Sequence, residues 1–214
     1  MSILSRNLLG EIMAYSSGEY RLEVCDRAFI ESMICANHYS HTMPKNAKLC
    51  FAVFYKGKHE GALSLGYGIR PNIKTAWGNI SKEEYLEFDR MYLTDTPPRN
   101  SESKVIGMLK TLLSYVSPET RYIFSYADGT AGNRGIIYKA TNFKELPPLK
   151  ADFYILEDGT RVHPVTMWHR HKTRAWSAMQ SLYPGIKKAD GFQYRFLLDM
   201  GKRQKKGKKL ILVS

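Results

Sequence analysis

At 214 residues, with 43% hydrophobic side chains, the chain can build one cored domain, or one domain with an appendage. No apolar run approaches the roughly 20 residues of a membrane span, and the opening MSILSRNLLGEIMAY lacks the basic start and small-residue cleavage site of a secretory signal. The three cysteines, Cys25, Cys35 and Cys50, have no C-x-x-C spacing, which argues for a reducing cytoplasm and against a disulfide framework.

The net charge of +12 is concentrated in the last quarter. Gly159–Ser214 carries 13 Lys/Arg against 2 acids, while residues 1–158 carry 19 against 18. A localised basic surface is the footprint of a polyanion partner, most often nucleic acid; the plain alternative is a solvated tail.

In chain order, Glu19–Cys25 alternates as a short strand. Asp26 can cap a helix through about Cys35, with Phe29, Ile30, Met33 and Ile34 on its apolar face. Leu49–Tyr55 and Gly61–Tyr67 flank Lys56-Gly57-Lys58-His59 as a β-hairpin. Pro71–Ser81 reads as a loop and Tyr85–Leu93 as the next strand. Pro97 and Pro98 forbid a helix before about Asn100. From Ser101 to Tyr115, Val105, Ile106, Leu109, Leu112 and Leu113 recur at the spacing of one helix face. Tyr122–Ala127 is a strand, followed by a helix from about Gly132 to Thr141. Asp158-Gly159 makes a hairpin turn between Phe153–Leu156 and Thr160–Val165. Lys172–Leu182 reads as a basic helix and Phe192–Asp199 as a final strand. The order implies an α+β fold, a mixed sheet flanked by helices.

Two strand–loop–helix blocks concentrate polar groups where helix N-termini offer free N–H groups. In YLEFDRMYL, period two puts Arg90 on a face with Leu86, Phe88 and Tyr92, and Glu87 and Asp89 on the other. A charge among apolar neighbours needs a partner. Arg90 is thus a site residue, half of a structural pair, or the exposed end of a strand. Arg99, Asn100, Ser101 and Ser103 open the first block's helix. One such oxygen serves as a cap; several together can line a phosphate site.

In the second block, Ser125, Asp128, Asn133 and Tyr138 stand out. Asp128 can accept a proton or make an Asp-Gly turn, and Tyr138 can protonate a leaving group or pack in the core. In Asn37–His41, His38 and His41 can ligate a metal or pack a helix end, and Tyr39 can stack a base. Near the C-terminus, Arg170, Lys172, Arg174 and Trp176 interleave cations with an aromatic ring, as phosphate contact plus base stacking requires. Lys202, Arg203, Lys205 and Lys206 lie in a tail suited to non-specific phosphate attraction.

FDRMYLTDTPPRNSES at Phe88–Ser103, SYADGTAGNRGIIYKATNF at Ser125–Phe143 and NHYSH at Asn37–His41 resemble the Mom-type phage DNA-modification proteins, which are similar to the GNAT N-acetyltransferase superfamily. NRGIIYKATNF is similar to that superfamily's helix ending, N-x-x-x-x-x-Y-x-x-x-x-F. The resemblance implies an acetyltransferase-like mixed sheet, splayed where a cofactor enters, in a catalytic core over residues 1–158. Residues 159–200 then form a basic part that includes the last strand, and residues 201–214 a basic tail.

It also implies conversion of adenine in double-stranded DNA to N6-carbamoylmethyladenine, protecting phage DNA from restriction in the cytoplasm of a bacterial host. Arg90, Asp128, His38, Tyr39 and Tyr138 become catalytic candidates, and Arg99, Asn100, Ser101, Ser103, Ser125 and Asn133 candidates for an acyl-CoA-like donor. An iron or other metal would draw on His38 and Asp128. The superfamily's glycine-containing pyrophosphate loop is replaced by Arg99-Asn-Ser-Glu-Ser-Lys104. A homodimer is one arrangement left open. The rival readings are an acyl-CoA-dependent N-acyltransferase on a protein or small-molecule amine, and a non-enzymatic DNA-binding protein.

Overall fold

The computed structural model describes residues 12–68, 80–201 and 211–213. They fall into two compact units. The first comprises the described residues up to Ser125, Ile137–Lys144 and those from Phe196 onward; the second comprises Tyr126–Ile136 and Glu145–Arg195.

The first unit begins with β1 (Ile12–Ser17), β2 (Tyr20–Cys25), α1 (Arg27–Asn37) and the hairpin β3 (Ala47–Tyr55) and β4 (Lys58–Gly66). Then come β5 (Tyr85–Leu93), α2 (Ser101–Val116) and β6 (Tyr122–Asp128). The helix α3 (Ile136–Ala140), the strand β11 (Phe192–Asp199) and β12 (Ile211–Val213) also contribute. The strands stand in the order β12-β1-β2-β3-β4-β5-β6-β11. Neighbours run antiparallel from β12 to β5, and β5 pairs with β6 in parallel, so the sheet is mixed.

The hairpin closes through Lys56 and Gly57, both at positive φ (48° and 79°). A two-residue turn of that hand matches the twist of the strands it joins. In β2 the alternation is plain: Tyr20, Leu22 and Val24 are buried. They pair with Tyr55, Val53 and Phe51, so these six side chains share one face. The start of α2 packs there, with the Tyr20 hydroxyl 2.6 Å from Ser101 Oγ and Lys104 Nζ 4.5 Å from the Tyr20 ring centre. The other face carries Cys50, Ala52 and Ala62 against Ile30 and Ile34 of α1. Small residues on the strands let the helix approach, and each buried isoleucine contributes roughly 1.5–3 kcal/mol. Phe29, expected on that apolar face, is instead exposed and rests on His59 with ring centres 4.9 Å apart.

Strand β5 departs from simple alternation. Ser64 pairs with Arg90 and Leu65 with Phe88, a register shift that leaves Asp89 as an extra residue. The bulge puts Phe88 on the face of Leu65 and Leu49, and Arg90 on the face of Ser64 and Cys50. Phe88 and Arg90, expected together, are therefore apart. Glu87, paired with Gly66, shares the face of Arg90. The parallel ladder to β6 ends at Glu87↔Phe124, although β5 continues to Leu93 and β6 to Asp128. The expected splay is this early end of pairing.

The second unit holds β7 (Lys144–Lys150) and a three-stranded sheet in the order β10-β8-β9: β8 (Tyr154–Ile155), β9 (Arg161–Val162) and β10 (Lys187–Lys188). Its helices are α4 (Pro164–His171) and α5 (Trp176–Leu182). Tyr154, Val162, Met167, Met179 and Ile186 form the core. The single basic helix expected over Lys172–Leu182 is two helices. Lys172 adopts φ 56° and ends α4, which begins earlier at Pro164, where the missing N–H costs nothing. The helix expected from Gly132 shrinks to α3, because Gly132 and Gly135 both take positive φ in the preceding turn. Strand β7 carries Pro147 and Pro148 at a sheet edge, beside residues 192–195 of β11, which belong to this second unit, and a missing donor is tolerated there. No helix among the described residues is long and apolar enough to cross a membrane.

Candidate active site

The bulge on β5 organises a polar cluster in the first unit. Arg90 Nε donates to the Thr42 carbonyl (2.9 Å), and its Nη1 to the carbonyl of Asp89 (2.7 Å). Its Nη2 lies 3.5 Å from Thr42 Oγ1. The guanidinium thus ties β5 to the segment that follows α1. Its fork geometry suits two carbonyls at once.

That segment carries His38 and Tyr39. His38 ends α1, its N–H donating to Ile34 O at 2.9 Å. Its ring is buried, and Nδ1 accepts the Ser40 N–H at 3.1 Å. An N–H can only donate, so Nδ1 is unprotonated and the neutral ring carries its proton on Nε2. Burial, then the positive charges of Arg90 and His41, push its pKa down to about 4. A neutral imidazole at pH 7 follows. Tyr39 stacks on that ring with centroids 4.3 Å apart and stays exposed.

Tyr138, on α3, packs edge-on against Phe88 (6.2 Å) and beside Phe143 (5.3 Å) and Phe196 (5.0 Å). Burial raises its pKa to about 12, opposed by a hydrogen bond with Ser125; the charges of Arg90 and Glu87 also reach it. Packing and chemistry coincide here: a half-buried aromatic packed among three rings keeps its phenol protonated, within electrostatic reach of Arg90. Ser125 is buried and donates to the Phe88 carbonyl at 3.3 Å, just past the last β5–β6 pair. His38, Tyr39, Arg90, Ser125 and Tyr138 are thus brought together.

Asp89 is the residue that sequence reasoning passed over. Burial first, then Glu87, raise its carboxyl to about pKa 7, against the lowering influence of Arg90. Among the described residues its Oδ2 is buried without a hydrogen-bond partner, as is Ser64 Oγ across the ladder from Arg90. The only signal in the sequence was three charges within an otherwise apolar nine-residue strand.

Other candidates have local tasks. In the second unit, Asp128 Oδ1 accepts from Thr130 N (3.0 Å) and Oγ1 (2.6 Å), and Oδ2 pairs with Arg161 at 2.8 Å. That is the turn-making role. Asn133 closes a turn through Gly135 N at 2.9 Å. In the first unit, Ser101 is buried, bonding to the Pro98 carbonyl and to Tyr20, so its hydroxyl faces the core. Asn100 precedes α2 at φ 69° without a side-chain cap bond. Arg99 and Asn100 are exposed and Ser103 is half-buried. Among the described residues no three His, Cys, Asp or Glu side chains converge as a metal site.

In the second unit Arg170, Lys172 and Arg174 are exposed beside the exposed Trp168. Trp176 instead packs on Tyr154 (5.6 Å), with Lys188 Nζ 4.9 Å from its ring centre. Lys202, Arg203, Lys205 and Lys206 lie outside the described residues, as does most of the Pro71–Ser81 loop.

The fold is similar to that of a probable GNAT-family acetyltransferase from Chromobacterium violaceum, with TM-score 0.51 and 11% identity, covering 89% of this chain and 92% of that one. It is also similar to a ribosomal-protein α-N-acetyltransferase solved with coenzyme A, with TM-score 0.50 and 10% identity, covering 89% and 99%. In sequence, the methylcarbamoylase Mom of Escherichia phage Mu is 33% identical over 159 residues. That match covers 74% of this chain and 66% of the relative's length. The Mom protein family model matches residues 19–212, which include every residue of the cluster on β5, α1 and α3; the chain belongs to the Mom protein family.

Proposed function

We propose that the protein is a transferase that modifies adenine in double-stranded DNA, forming N6-carbamoylmethyladenine and shielding phage DNA from host restriction in the bacterial cytoplasm. The observation that carries this reading is the family match across the whole Arg90 cluster, whose relative in phage Mu is named a methylcarbamoylase. The chemistry is demanding. Adenine's exocyclic amine shares its lone pair with the ring, and a duplex hides it. Extruding the base solves the second problem, and the exposed Tyr39 ring offers a stacking surface. Arg90 supplies a fixed positive charge for charge that develops in the transition state. Tyr138, held protonated, can donate to a leaving group.

An acyl-CoA-like donor would supply the activated group. The α2 start fits it in part. Arg99 is exposed and available to a phosphate, but Ser101 is turned inward and Glu102 adds an exposed negative charge at the first turn. The exposed cations Arg170, Lys172 and Arg174 would hold the DNA backbone, with the basic tail.

Phosphate neutralisation releases counterions, so duplex affinity should fall with salt at a log–log slope of about −0.9 per phosphate contacted. Deleting Lys202–Lys209 should flatten that slope without changing which base is modified, because cations that meet only phosphates carry no sequence information. Fluorescence anisotropy of full-length and truncated protein on one duplex measures this; identical slopes would remove the tail from the interface. Analysis of nucleosides from expressing cells tests the reaction itself.

A further inference from the structure

Asp89 exists as a bulge residue because β4 and β5 change register between Ser64↔Arg90 and Leu65↔Phe88. Its carboxyl leans towards Gly66: a Cβ at Gly66 would lie 2.7 Å from Asp89 Oδ2 and 2.5 Å from the Asn46 carbonyl. Only glycine there admits the carboxyl. The bulge carries it to the side of Glu87 and Arg90, yet Arg90 bonds to Asp89 through the backbone carbonyl and to Thr42. Oδ2 is left buried and, among the described residues, unpartnered. An unsatisfied buried oxygen is costly, and one in a native fold calls for a reason such as a role in proton transfer.

We infer that Asp89 accepts the proton of the adenine amine as that nitrogen forms its new bond, an inference that rests on the DNA-modification reading above. In that step the nitrogen lone pair bonds to the methylene carbon of a carbamoylmethyl group that the donor carries on sulfur. The carbon–sulfur bond breaks, and sulfur leaves with the bonding pair. The amine's N–H proton passes to the Asp89 carboxylate, and the Tyr138 phenol supplies a proton to the departing sulfur. Asp128, the acid expected in this role, is occupied by Thr130 and Arg161.

The charged and titratable groups acting on Asp89 are Glu87 and Arg90 on its own strand and Cys50 on β3. Burial raises the Cys50 thiol to about 11, so it stays protonated and uncharged beside the carboxyl. A carboxyl near 7 is half-ionised at neutral pH, which suits a general base.

The test compares wild type, Asp89→Asn and Asp89→Glu, expressed in cells that supply their own donor. Modified adenine is counted by mass spectrometry. Melting and affinity for one adenine-containing duplex are measured on each purified protein. Carboxyl carbon NMR of the Asp-labelled protein follows ionisation against pH.

The amide keeps the shape of Asp89 and loses its proton affinity, so modification should fall about 100-fold or more with melting and duplex affinity unchanged. Glutamate keeps the chemistry on a longer arm and should retain more activity than the amide. One carboxyl titrating near 7 should disappear in Asp89→Asn. A residue that only shapes the strand would give the opposite ranking, with the amide active and glutamate poor. That ranking, or a near-normal amide, or no such carboxyl in the wild type, overturns the role of Asp89 alone. Wild-type protein that leaves DNA unmodified overturns the functional reading and this inference with it.

Discussion

Arg90→Ala should cost about 100-fold or more in adenine modification, the loss typical of removing a fixed transition-state donor. Duplex affinity should hold, because the cations assigned to the phosphates are elsewhere. Arg90→Lys should fare little better. An ammonium cannot span the carbonyls of Thr42 and Asp89 with the forked geometry seen here. Losing the Arg90 charge in the alanine variant should also raise the pKa of His38 from about 4, since that charge opposes the imidazolium form. The sign of the stability effect follows. His38 has a folded pKa below its unfolded value, so its contribution is complete above about 6.5 and is lost as pH falls towards 4. NMR of the His38 ring and nucleoside counts from the same variants check both effects. A fully active lysine variant would show that only charge is needed at this position.

Gly66→Ala should be strongly damaging to the sheet. The new methyl would meet the Asn46 carbonyl at 2.5 Å and Asp89 Oδ2 at 2.7 Å. The Asn46 carbonyl belongs to the backbone just before β3, next to the Ala47↔Gly66 pair, and cannot swing aside as a side chain can. Overpacking of this kind costs about 1–3 kcal/mol, or roughly 2–4 °C of melting temperature per kcal/mol for a chain of this size. Activity should fall further than stability, because the same methyl displaces Asp89. Gly107→Ala is the matched control. It lies within α2 with nothing inside 4 Å of the added Cβ, and should stabilise by about 0.5–1 kcal/mol. Thermal melts of both variants separate these outcomes; a neutral Gly66→Ala would mean the carboxyl has room to spare.

What could be read in the sequence followed the strength of its periodic signal. The α2 stripe of Val105, Ile106, Leu109, Leu112 and Leu113 has one face to bury, and all five are buried. Strand β5 was legible in extent, Tyr85–Leu93, but not in the facing of its side chains. A bulge depends on the partner strand, here on what Gly66 and Asn46 leave open, and no local pattern in YLEFDRMYL records it. That is why Asp89 was assigned to the face away from Arg90.

Asp128 shows the converse case. An Asp-Gly pair after a strand is a strong local signal, and the turn it forms uses the carboxylate. Two elements were hidden by their composition. Strand β7 contains two prolines and survives at an edge, and α4 begins at Pro164 after a hairpin whose second strand is only two residues long. His38 and Tyr138 were visible as residue types. Their neutral ring and protonated phenol come from burial that only the fold supplies.

Adenine modification in DNA is the reaction proposed for this fold. Mass spectrometry of nucleosides, from DNA of cells expressing the wild type and Arg90→Ala, tests it most directly. With the wild type a fraction of adenine nucleosides should gain a carbamoylmethyl group, and with the folded, soluble variant none above background. Unmodified nucleosides from cells that contain soluble, folded wild-type protein would contradict it.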